Sequence, residues 1–132
     1  VKVIIKCRRI SRGYGEGYAL VSPEPISFFG QIDRNTGVVC DEEHPLYGES
    51  IAGRVLVFQS GKGSTVGSYV IYGLAKRGKA PSAMICIEAE PIVAVGAVIA
   101  NIPMVDRPER NVFKNGDFIK VYADRGLIEV LD

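Results

Sequence analysis

Apolar and polar positions alternate at both ends of the chain, and continuous apolar runs fill its middle. Val1–Ile10 is β-branched with interspersed charges and predicts a strand. Gly13, Gly15 and Gly17 loosen the chain before a second strand near Tyr18–Ser22, which Pro23 and Pro25 end. Phe28–Cys40 reads as two short strands around the turn Asp33-Arg34-Asn35-Thr36-Gly37, and Asp41–Ser50 as a loop. Arg54–Phe58 has the unbroken apolar character of a strand buried on both faces.

A helix is expected over residues 65–77. Val66, Tyr69, Val70, Gly73 and Leu74 recur at helical spacing, Ser64 or Thr65 can cap the start, and Gly78 suits the position after the end. Beyond Pro81 the pattern returns to strands. Ala83–Ile87 and Ile92–Ile99 are apolar runs joined by a turn at Glu88–Pro91, and Pro103, Pro108 and the charged stretch Asp106–Arg110 read as a surface loop. Phe118–Tyr122 and Leu127–Leu131 pair as a hairpin across Asp124-Arg125-Gly126. The sum, with no repeats or linkers, is a single compact, strand-rich α/β domain over residues 1–132 with one central helix.

Composition narrows the classes of function. With 132 residues, 47% of them hydrophobic, the chain has material for one core, and 16 basic against 15 acidic side chains leave no footprint for nucleic acid or a membrane surface. No apolar run approaches a membrane span, and the charged, alternating N-terminal segment does not read as a signal peptide; a soluble cytoplasmic protein is expected. Cys7, Cys40 and Cys86 are odd in number and lack metal-ligand spacing, so they read as small buried hydrophobes in a reducing compartment, and no metal site is expected on this chain.

Chemistry concentrates at Ser60-Gly61-Lys62-Gly63-Ser64, between the buried strand and the helix. Amide N–H groups at a helix start favour negative charge. A phosphate-binding P-loop does not fit, because Leu56 stands where its first glycine belongs and Lys62 precedes Gly63 rather than a hydroxyl residue. A dinucleotide fingerprint fails as well, with Val66 in place of its third glycine. Hydrolase chemistry lacks a partner: His44, the lone histidine, lies in a separate loop, and Gly-x-Ser-x-Gly is absent. Two readings stand. Ser64 is a base whose alkoxide the amide groups stabilise, or it is only an N-cap on a tight turn.

The loop Gly61-Lys62-Gly63-Ser64, with Gly67-Ser68 following, resembles the serine loop of the swivelling domain of the aconitase superfamily, where the serine after a Gly-x-Gly turn is the catalytic base. The wider match is to the small subunit of the aconitase X group. It rests on Phe28-Phe29-Gly30-Gln31-Ile32-Asp33, Thr36-Gly37, His44-Pro45, Gly48, Gly53-Arg54-Val55-Leu56, Gly78-Lys79-Ala80-Pro81 and the expected Ile92–Gly96 strand, in that order.

The resemblance implies a β/β/α swivelling domain, a barrel-like sheet with one principal helix. It implies a heterodimer with a larger subunit that holds a 4Fe–4S cluster, and a dehydration in which Ser64 accepts the proton. The implied substrate is a phosphorylated hydroxy acid, mevalonate 5-phosphate, which would become trans-anhydromevalonate 5-phosphate in the modified mevalonate route to isoprenoids. A hydroxyproline dehydratase and a non-catalytic interaction domain are the alternatives. Ordinary aconitases continue the loop with a second serine and an arginine that grips substrate carboxylate; Thr65 and Val66 stand there instead. Lys62 and the N–H groups of Gly63 and Thr65 are therefore the candidate substrate contacts. His44 is expected to fix its own turn, and apolar surface is expected around the Ser64 loop, to be covered by the partner.

Overall fold

The computed structural model describes residues 2–131. Its frame is an eight-stranded sheet: β1 (Lys2–Lys6), β2 (Arg8–Ser11), β3 (Tyr14–Val21), β4 (Val55–Phe58), β5 (Ala83–Cys86), β6 (Met104–Asp106), β7 (Phe118–Tyr122) and β8 (Leu127–Leu131). The spatial order is β1-β8-β7-β3-β4-β5-β6-β2. The two outermost strands are consecutive in sequence, separated only by Cys7. One continuous N-terminal segment therefore supplies both edges and closes the sheet like a barrel, leaving little edge for stray pairing.

β3, β4, β5 and β6 run parallel, and the remaining pairings are antiparallel. Parallel neighbours need crossovers, and two are helices: α2 (Val66–Lys76) between β4 and β5, and α3 (Pro91–Ala100) between β5 and β6. A short helix, α1 (Phe28–Gln31), lies in the long connection from β3 to β4.

β4 and β5 are buried on both faces, and each face feeds a separate core. Val55, Val57, Ala83 and Ile85 point into the barrel with Ile5, Ile119, Val121 and Ile128. Leu56, Phe58, Met84 and Cys86 meet Val70, Ile71 and Leu74 of α2 and Val93 and Ala97 of α3. The two helices pack closely because Gly96 has no side chain: a Cβ there would lie 2.8 Å from Ile71 Cδ1.

The α/β class, the barrel-like sheet, β4, α2 and the C-terminal hairpin agree with the expectations, but several elements do not. Ile92–Ile99 is a helix rather than a strand, so the sheet carries two helices of similar length instead of one principal helix. Glu90 and Pro91 open that helix as N-cap and N1, and Asn101 ends it in the left-handed conformation at φ 56°. Phe28–Cys40 contains α1 and an isolated bridge between Ile32 and Val39 rather than two strands, although the expected turn holds, with Asp33 accepting N–H bonds from Asn35 and Thr36.

Gly15 and Gly17 do not loosen the chain; they sit inside β3. There a Cβ at Gly15 would come within 2.0 Å of the Ser82 carbonyl oxygen, and one at Gly17 within 2.7 Å of the Gly53 oxygen. Close backbone crossing, not flexibility, requires glycine at both positions. Asp106 is not on a surface loop either: it ends β6, fully buried.

Candidate active site

The carboxyl ends of β4, β5 and β6 lie side by side, the end of a parallel sheet at which ligand sites form. The serine loop leaves β4 there. It is pinned on one flank by Ile26, whose N–H donates to the Ser60 oxygen at 3.0 Å and whose oxygen accepts the Lys62 N–H at 3.0 Å. On the other flank stands the start of α3. A Cβ on Gly61 would lie 2.3 Å from both Glu90 Oε1 and Val93 Cγ2. Gly63 has φ +92°, and a Cβ on it would lie 2.7 Å from Ser27 Oγ. Both glycines of the turn are thus needed, one by close packing and one by backbone conformation.

The turn delivers Ser64 to the exposed start of α2. Its Oγ accepts the Val66 N–H at 3.1 Å, and its carbonyl oxygen accepts the Gly67 N–H at 2.9 Å. The hydroxyl therefore both caps the helix and faces solvent, so the two readings of Ser64 are compatible. The N–H groups of Gly63, Ser64 and Thr65 find no acceptor among the described residues. Three free amide donors beside an exposed hydroxyl, at the positive end of an 11-residue helix, form a cradle for a negatively charged oxygen.

Lys62 is exposed on the same loop and makes no ion pair among the described residues. Its charge reaches Asp41, whose carboxyl is held below the ordinary range. The Gln31 amide is the main cause, followed by the Glu43 N–H and, more weakly, the Lys62 charge. The sequence-predicted residues Lys62, Gly63, Ser64 and Thr65 thus share one exposed rim.

His44 does not belong to that rim. It is buried, and its Nδ1 accepts the Leu46 N–H at 3.0 Å, which fixes its own turn. Cys7 and Cys86 are also unsuited to chemistry, since burial pushes their thiols up to about 11 and about 12 respectively, whereas Cys40, expected to be buried, is exposed beyond the Ile32–Val39 bridge. Among the described residues no group of His, Cys, Asp and Glu is arranged to hold a metal ion.

Sequence reasoning missed Glu90. Its two oxygens accept the N–H groups of Ile92 (2.9 Å) and Val93 (2.8 Å), closing the start of α3 while propping Gly61. Glu-Pro before an apolar run was the available signal. From the loop, a groove of about 480 Å³ runs between α2 and α3, lined by Thr65, Ser68, Tyr69, Ile92, Val95 and Ile99. Tyr69, Val95, Val98 and Ile99 leave 72%, 51%, 52% and 44% of their surface exposed beside it.

A closed sheet with two crossover helices carries an exposed serine in an amide cradle at the start of one of them. The chain belongs to the aconitase X swivel domain family, whose model matches residues 4–130. It is 53% identical to the phosphomevalonate dehydratase small subunit of Methanococcoides burtonii, over 100% of this chain and 98% of that protein. It is 56% identical to the protein of the same name from Thermococcus onnurineus, over 96% and 97%. The crystal structure of Thermococcus kodakaraensis aconitase X in its holo-form superposes with a TM-score of 0.95 at 52% identity, over 98% of this chain and 99% of that one.

Proposed function

We propose that this chain is the small subunit of a phosphomevalonate dehydratase, active only in a heterodimer, with Ser64 as the proton acceptor. The observation that carries the reading is the exposed Ser64 hydroxyl beside three unsatisfied amide N–H groups, in a chain that matches the named small subunits end to end.

The reaction removes water across two neighbouring carbons. The Ser64 oxygen, as alkoxide, takes the proton from the carbon next to the substrate carboxylate. The C–H electron pair becomes the new double bond, and the hydroxyl leaves from the adjacent carbon. An unassisted serine is a weak base; the Val66 N–H and the α2 dipole lower the cost of its anion. Lys62 and the free N–H groups of Gly63 and Thr65 hold anionic oxygens of the substrate. An iron–sulfur cluster held by the large subunit would supply Lewis-acid assistance to the departing hydroxyl. The apolar row Tyr69, Val95, Val98 and Ile99 is surface that an obligate partner would cover. Three unpaired thiols suit a reducing, cytoplasmic setting.

The test is co-expression with the cognate large subunit, anaerobic purification of the complex, and incubation with mevalonate 5-phosphate or with a hydroxyproline. The expected result is formation of the conjugated alkene acid from mevalonate 5-phosphate alone. Turnover of hydroxyproline alone would reassign the substrate, and turnover of neither would favour a non-catalytic interaction domain.

A further inference from the structure

The fold brings a second hydroxyl, from another segment of the chain, against the turn that carries Ser64. Ser27 lies in the segment that flanks the serine loop, one residue after Ile26, which bridges Gly61. Its Oγ sits between two glycines: an ideal Cβ on Gly63 would be 2.7 Å from it, and one on Gly30 3.6 Å. No side chain therefore covers the hydroxyl from either residue. Ser27 is half-buried, and its Oγ has no hydrogen-bond partner among the described residues. The backbone beneath it is held firmly. The Ser27 N–H donates to Gln31 Oε1 at 2.9 Å, its oxygen accepts the Gln31 N–H at 2.8 Å, and Gln31 Nε2 donates to Asp41 at 3.0 Å.

A rigidly mounted hydroxyl with its proton and lone pairs unused, against the turn whose own N–H groups are free, is pre-organised for a ligand oxygen. We propose that Ser27 is a second substrate-contacting hydroxyl of this site, donating a hydrogen bond to an anionic oxygen, carboxylate or phosphate, of the substrate bound at the Ser64 loop. The inference rests on the reading of Ser64 given above. Ser27 is a binding residue with no part in moving the proton.

The experiment uses the assembled two-subunit enzyme. Substrate affinity for mevalonate 5-phosphate is measured by calorimetry in a Ser64→Ala background, where turnover does not interfere, with and without Ser27→Ala. Ser27→Ala keeps the Cβ and every backbone bond to Gln31, so the complex and its melting temperature should be unchanged. Affinity is expected to fall roughly tenfold or more, the size of a hydrogen bond to a charged group. Ser27→Cys, which keeps an atom in place but donates weakly, is expected to fall by a similar factor. Wild-type affinity in either assembled variant overturns the assignment of Ser27. Retained turnover in Ser64→Ala alone would instead remove the reading of Ser64 beneath it.

Discussion

The turns from β4 to α2 and from β5 to α3 are neighbours with the same strand-to-helix topology, and they treat the start of the helix in opposite ways. At α3 every device closes the end. Pro91 removes one N–H, Glu90 accepts two more, and Asp106 accepts the Ala89 N–H at 2.9 Å just before them. Asp106 is itself gripped by the Arg8 guanidinium through two bonds of 2.8 Å. At α2 there is no acidic side chain in the first turn, and the amide groups ahead of it point to no acceptor. The same element is thus closed in one place and left with open amide donors in the other, and the open end is where the proposed substrate anion would bind.

The two turns also lean on each other, and that dependence gives the largest expected effect. Gly61→Ala forces a methyl into Glu90 and Val93, so it should destabilise the fold by about 3 kcal/mol, at the upper end for overpacking, and displace Ser64. Thermal unfolding and turnover of the assembled enzyme check it; a neutral variant would mean the loop yields freely. Asp106→Asn loosens only the closed turn. Arg8 is half in solvent, so the cost should be about 2 kcal/mol, below that of a wholly buried pair. Burial alone would raise the Asp106 carboxyl, but the Arg8 bond, helped by the Ala89 N–H, holds it below the ordinary range. Its folded value is therefore the depressed one. The stability it contributes is complete above the unfolded carboxylate pKa and is lost as pH falls through the folded value. Melting scans from neutral into acid should show that decline in the wild type and a weaker one in Asp106→Asn. The smallest effect is a graft of one design onto the other. Thr65→Asp places a carboxylate at the open end of α2, which should gain about 0.5 kcal/mol of stability while raising KM at least tenfold, since the anion site is then internally filled. Unchanged KM would show that the open end does not receive substrate.

The open turn was legible in the sequence together with its helix, whereas the closed one was read as a turn at Glu88–Pro91 without the helix it opens, for physical reasons. Glycines, a lysine and hydroxyl residues between a buried strand and an amphipathic helix mark Gly61–Thr65 without any knowledge of packing. The helix α3 hides its period, because Val93, Gly96 and Ala97 are buried against the sheet and α2 while Val95, Val98 and Ile99 are apolar and exposed. A helix apolar on all sides reads as a β-branched strand. Asp106 and Arg8 lie at opposite ends of the sequence and meet only because β2 pairs with β6. Ser27 and Gly63 meet only through the bridge at Ile26. Such non-local contacts have no local signature, and the braces of the site were invisible until the sheet was closed.

The account turns on the Ser64 hydroxyl, and single-turnover kinetics of Ser64→Ala in the assembled heterodimer test it most directly. Loss of a base typically costs 10²–10⁴-fold, so turnover should fall by roughly a thousandfold while subunit association and melting temperature stay at wild-type values. A rate within a few-fold of wild type in that complex would contradict the assignment.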